Sequence, residues 1–71
     1  MTRDELIRKL RRLAQRRGIG VDRRRGKGGH WIVQFGVRRQ PVPQVKGRDL
    51  ATGTLHGILR RFGLSERDLL E

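Results

Sequence analysis

Cysteine is absent from this 71-residue chain, and so is tyrosine. Without thiols there is no disulfide staple and no thiolate zinc site. The two histidines and the scattered carboxylates show no metal-ligand spacing, so no metal or other cofactor is expected. Aromatic residues are few, only Trp31, Phe35 and Phe62, and 34% of the chain is hydrophobic, so a core has to be built from Leu, Ile and Val on a few amphipathic elements. Long apolar runs are missing too: the longest is three residues, and no charged-then-apolar leader opens the chain. This pattern argues against a membrane span or a secretory signal, and a soluble, cytoplasmic protein is expected. The length allows one domain, residues 1–71, close to the size at which a single core barely overcomes chain entropy.

Acidic residues are scarce. Seven Asp and Glu face eighteen Lys and Arg, for a formal net charge of +11 and a pI near 11.9. So short a chain with that excess repels itself, which implies a polyanionic or acidic partner, either nucleic acid or an acidic protein. Fifteen of the eighteen cations are arginine, whose planar fork favours bidentate contacts to phosphate.

What is present is patterned. Thr2–Arg3–Asp4–Glu5 has the spacing of a capping box, in which the Thr2 hydroxyl accepts from the Glu5 amide and the Glu5 carboxylate reaches back. Leu6, Ile7, Leu10, Leu13 and Ala14 then recur at helical spacing, acidic residues sit in the first turn, Arg16 and Arg17 in the last, and Gly18 supplies the stop. The spacing predicts a helix over about residues 3–17, its outer face basic. Ile19, Val21 and Arg23 alternate with Gly20, Asp22 and Arg24 as a short strand. A glycine turn leads into a second strand from His30, with Trp31, Val33 and Phe35 on a buried face and His30, Ile32 and Gln34 on the opposite, open face. Gly36 reverses the chain into a third strand, Val37 to Pro43, which Pro41 and Pro43 confine to a sheet edge.

After a polar connection from Gln44 to Ala51, a second helix starts at about Thr52 or Gly53. Leu55, Ile58, Leu59 and Phe62 form its apolar stripe, and Gly63–Leu64 its stop. Gly57 reads as close helix packing and His56 as a surface residue without an acidic neighbour at helical spacing. Ser65 to Asp68 caps a last helical turn whose Leu69 and Leu70 fold back on the body. The fold class is α+β: a three-stranded antiparallel sheet packed on two helices in the order α-β-β-β-α.

The residues that draw chemistry lie at the glycine turn. Gly26, Gly28 and Gly29 allow a tight reversal that places His30 at its mouth, with Arg23, Arg24, Arg25 and Lys27 before it and Arg38 and Arg39 after the next reversal. An imidazole can take and give a proton near neutral pH, and a rim of cations is where a phosphodiester lies. This pairing points to RNA chemistry. His30 is the candidate catalytic residue, and Arg25, Lys27, the Gly28 and Gly29 amides and Arg38 are the candidate phosphate donors.

Three segments together resemble the HicA toxins: Gly28–Gly29–His30 at the second strand, Val42–Pro43 closing the third, and Gly53–Thr54–Leu55–His56–Gly57–Ile58–Leu59–Arg60–Arg61–Phe62–Gly63–Leu64 near the end. The last segment is the most specific. The resemblance covers most of the chain and implies a fold like the double-stranded-RNA-binding domain. It also implies mRNA-cleaving interferase activity with His30 as the catalytic histidine, and inhibition by an acidic HicB-type antitoxin encoded nearby. The chain departs from the family where Gly29 replaces the usual serine, where Val33 replaces a common aromatic, and where Gln44, Val45 and Lys46 follow the Val-Pro pair in place of a frequent histidine. Losing the serine removes a possible donor to phosphate, which would weaken catalysis relative to the family.

The expected activity is metal-independent endoribonuclease cleavage by the RNA's own 2′-hydroxyl, with His30 as proton carrier. Two other readings stand beside it: a non-catalytic RNA-binding module of the same fold, and a small basic protein that serves only an acidic partner.

Overall fold

The first helix, α1 (Arg3–Arg17), forms where capping and stripe coincide. Thr2 Oγ1 accepts from the Glu5 amide at 3.1 Å, and the Glu5 carboxylate answers the Thr2 hydroxyl, at 3.3 Å, instead of the Thr2 backbone. At the other end Gly18 adopts φ 68°, and the Ile19 amide closes back on the Ala14 carbonyl at 2.8 Å. The computed structural model describes residues 1–26, 28, 30–43 and 48–70, and in it α1 is followed by β1 (Val21–Arg25), β2 (Trp31–Phe35), β3 (Arg38–Val42), α2 (Thr52–Arg61) and a terminal 3-10 helix (Glu66–Leu70). The chain therefore has the α-β-β-β-α layout read from its sequence.

The sheet is antiparallel with β2 in the centre. Its register pairs Arg25 with Trp31 and Trp31 with Val42 at one end, and Val21 with Phe35 and Phe35 with Arg38 at the other. Because side chains alternate, Trp31, Val33 and Phe35 face the helices together with Val21, Gln40 and Val42. Asp22, Arg24, Ile32, Gln34, Arg39 and Pro41 share the uncovered face. Pro41 pairs with Ile32 on edge strand β3, where a missing amide donor is tolerated.

The five stripe residues of α1 are buried with Val33, Phe35 and Val42 from the sheet and with Leu55, Ile58, Leu59 and Phe62 from the α2 segment. Truncating a fully buried member such as Leu10 or Leu59 to Ala should cost about 2–5 kcal/mol, a large part of the stability of a domain this small.

Helix α2 stops as its sequence indicates. Gly63 takes φ 76°, its amide donates to the Arg60 carbonyl at 3.0 Å, and the Leu64 amide donates to the Leu59 carbonyl at 2.8 Å. The left-handed backbone at residue 63 favours glycine.

The structure departs from the sequence-based expectations at four points. β2 begins at Trp31 instead of His30, and β3 spans Arg38–Val42 because Val37, 94% exposed, belongs to the turn. Leu69 folds onto the core while Leu70 remains 78% exposed, since consecutive residues of a 3-10 turn point in different directions. Gly57 marks no close packing: a Cβ there meets nothing within 4 Å. Arg12 and Arg17 of the basic helix face also serve the fold, donating to the Leu69 carbonyl at 3.0 Å and to Asp68 Oδ1 at 2.9 Å. Of the connection expected from Gln44 to Ala51, residues 44–47 lie outside the described residues.

Candidate nucleic-acid site

The β1–β2 hairpin positions His30. The Gly26 amide donates to the His30 carbonyl at 2.9 Å, and Gly28 has the positive φ, 67°, that the reversal requires. A Cβ on Gly28 would stand 3.7 Å from His30 Cδ2, so the Gly28 backbone borders the imidazole. Since His30 precedes the strand, strand alternation does not place it on the uncovered sheet face. It lines a cleft of about 350 Å³ between β3 and α2, together with Gln40, Pro41 and Pro43 on one side and Gly53, Thr54, Gly57, Ile58 and Arg61 on the other.

Each wall has a chemical character. On α2, Gly53, Gly57 and Arg61 recur every four residues, so they stack on one helix face beside the apolar stripe. A Cβ at Gly53 or Gly57 would meet nothing within 4 Å, so these two glycines leave room above the helix where other residues would fill it. Ala51, the N-cap residue before α2, offers no side-chain acceptor and makes no capping bond to the first-turn amides. Arg61, exposed in the last turn, adds a cation. On the sheet side the buried Gln40 contributes an amide. His30 is exposed, and its ring makes no hydrogen bond to another described residue.

Of the residues singled out from the sequence, His30 and Gly28 are brought together. Arg25 lies at the same end of the sheet, paired with Trp31, but on β1, the strand on the far side of β2 from the cleft. Arg38 is not brought to His30. It pairs with Phe35, about 13 Å along β2 from Trp31 at ~3.3 Å per residue, and its Nη1 donates to the Arg61 carbonyl at 3.2 Å, where a cation complements a helix C-terminus. Lys27 and Gly29 lie outside the described residues.

Gln40, Thr54 and Arg61 are the residues that sequence reasoning missed. The four-residue repeat of Gly53, Gly57 and Arg61 beside an apolar stripe could have pointed to a lined helix face. For Gln40 the clue was a polar residue two positions from Val42 on the same strand face.

Basic charge is also gathered next to this site. The guanidinium carbons of Arg3 and Arg23 lie 4.9 and 4.6 Å from the centre of the Trp31 ring, and Arg25 is the register partner of Trp31. Among the described residues, Arg3 is paired with the exposed carboxylate of Asp4, 3.6 Å from its Nε, and its Nε and Nη1 are buried without a hydrogen bond. Among the described residues, no group of three His, Asp or Glu converges as a metal site would require.

No protein-family model, curated protein or solved structure matches the chain.

Proposed function

We propose that this chain is an endoribonuclease of the mRNA-interferase kind, the toxin of a type II toxin–antitoxin pair, with a HicA-like fold related to the double-stranded-RNA-binding domain. The observation that carries this reading is the cleft itself. An exposed histidine whose ring makes no hydrogen bond to a described residue lies across from the α2 segment that bears the most specific resemblance to the HicA toxins, and the two enclose a space lined by Gly53, Thr54 and Arg61. A phosphodiester placed there meets donors on the helix side and a proton carrier on the hairpin side.

In the proposed step, His30 accepts the proton of the ribose 2′-hydroxyl as that oxygen attacks the adjacent phosphorus. The P–O5′ bond breaks, and the 5′-oxygen leaves with a proton from water or from the imidazolium, so a 2′,3′-cyclic phosphate and a 5′-hydroxyl result. Arg61 and the first-turn amides of α2 stabilise charge on the non-bridging oxygens. Arg25, Lys27 and Arg23 hold the flanking backbone. No tyrosine or cysteine exists to act as a second proton-transfer group, and Gly29 replaces a serine, so slow turnover is expected. The partner that restrains the activity is an acidic antitoxin of the HicB type, drawn by the +11 charge.

The test is single-turnover cleavage of a labelled RNA in the presence of a chelator, wild type against His30→Ala, with folding checked by circular dichroism. Loss of cleavage in the variant supports the reading, and equal rates overturn it. One observation favours a second reading, a binding module without catalysis: no described carboxylate or other base orients the His30 ring. That reading predicts RNA binding without cleavage in the same assay.

A further inference from the structure

Among the described residues, one polar side chain is buried. Gln40 is 7% exposed, on the helix-facing side of β3, opposite Val33 in the register and two residues from the fully buried Val42. Its side-chain amide makes no hydrogen bond to another described residue, and it lines the cleft that holds His30. The described residues give this amide no hydrogen bond, its polar end opens on the cleft, and an apolar residue of similar volume would fill the position opposite Val33 as well. The amide is therefore available to a group that enters the cleft.

We propose that Gln40 is a specificity residue that reads a nucleobase beside the phosphate held at His30, and that the preferred base is adenine; this rests on the RNA reading above. A glutamine amide presents one acceptor oxygen and one donor nitrogen side by side, a pattern that a phosphate, with acceptors only, cannot use fully. A base edge can. Adenine offers a donor and an adjacent acceptor, the pairing for which Gln and Asn are best suited. The surroundings fit a flat group. Gly53 and Gly57 leave open space on the opposite wall, Pro41 and Pro43 give apolar rims, and Arg61 can lie against a ring face. Single-stranded RNA, whose unstacked bases can be splayed into such a slot, is the substrate form this geometry takes.

The inference makes a two-sided prediction that a structural role does not share. Gln40→Leu should leave the melting temperature equal or higher, because no hydrogen bond of the fold is lost with the amide. It should also remove base discrimination, which for one bidentate pair amounts to about 5- to 100-fold. The experiment measures binding of fluorescent 2′-O-methyl decamers of A, C and U by anisotropy. These probes lack the attacking hydroxyl, so cleavage does not intervene. Wild type, Gln40→Leu and the near-isosteric Gln40→Met are compared.

Preferential binding of the A decamer by wild type, levelled in both variants with unchanged or raised melting temperature, is the expected result. If wild type binds all three equally, or if the preference survives in the variants, the role of Gln40 is overturned while the RNA reading stands. Binding of no decamer by wild type overturns the RNA reading and this inference with it. If both variants melt lower and lose their native circular dichroism, Gln40 is a structural residue and the inference is overturned.

Discussion

Helix α2 carries a cleft on each of two sides, and each has one histidine. On one side His30 lies across from Arg61, Thr54 and the two open glycines, its ring without a hydrogen bond to a described residue. On the other, His56 lines a smaller cleft of about 290 Å³ with Arg60, Leu64, Ser65 and Glu66, and its Nε2 is 2.9 Å from Glu66 Oε1. The sequence told them apart by setting alone, His30 at a glycine turn among arginines and His56 on a helix surface without an acidic neighbour at helical spacing. What separates them is that His56 has a partner supplied by the fold, while His30 faces space that the fold leaves empty. A satisfied imidazole on an exposed turn ties two segments together, and an unsatisfied one at the mouth of a lined cleft is available to a substrate.

The largest effect expected from this contrast is on cleavage. His30→Ala should lower the single-turnover rate by about 10²- to 10⁴-fold, the usual worth of a general acid–base group, with His56→Ala near wild type. Comparable losses in both variants would erase the distinction between the two sides.

Next in size is the electrostatic component. If about four to six phosphates are neutralised around the His30 side, the affinity for single-stranded RNA should fall with a log–log salt slope of roughly −3 to −4. Titrations at several salt concentrations give the slope directly, and a value near zero would remove the polyanion from the account.

Gly57→Ala sharpens the comparison by filling the space on one side alone. Replacing a helical glycine should stabilise the domain by about 1 kcal/mol, while the added methyl enters the His30 cleft and weakens RNA binding several-fold. Thermal melts paired with binding isotherms would test this, and a stabilised variant with undiminished binding would place the RNA elsewhere.

Two smaller effects belong to the His56 side. Because the pair is exposed, His56→Ala should change stability by no more than about 0.5 kcal/mol in denaturant titration. Close by, the Asp68 carboxyl is held below the usual carboxylate range, first by the Ser65 amide that donates to it at 2.7 Å and then by Arg17. A pKa depressed in the folded state contributes stability that is present above the unfolded value of about 3.9 and is lost as pH falls through the folded value. Melting curves between pH 6 and pH 2 should therefore show an acid-side loss that is smaller in Asp68→Asn.

Much of the architecture could be read from the sequence because its determinants are local. The Thr2 cap, the α1 stripe, the Gly18 and Gly63 stops and the alternation of Trp31, Val33 and Phe35 act over a few residues, and the structure keeps all of them. Where the reading missed, it missed at ends and pairings. Leu70 and Val37 lie at element boundaries, where burial depends on how the chain turns. The Glu66 partner of His56 is ten residues away and becomes a neighbour only after the chain reverses at Gly63.

The sequence by itself determined that this is a small basic α+β fold and that His30 follows a glycine turn. Periodicity, capping and charge count do not depend on which elements come to lie together. The tertiary structure alone decided which residues share a site with His30. It brought Gln40, Thr54 and Arg61 into one cleft with His30, engaged Arg38 at the end of α2 and Arg12 and Arg17 on the terminal turn, and left open space above Gly53 and Gly57. A cleft belongs to surfaces from separate parts of the chain, and its membership is settled only when α2 packs beside the edge strand β3.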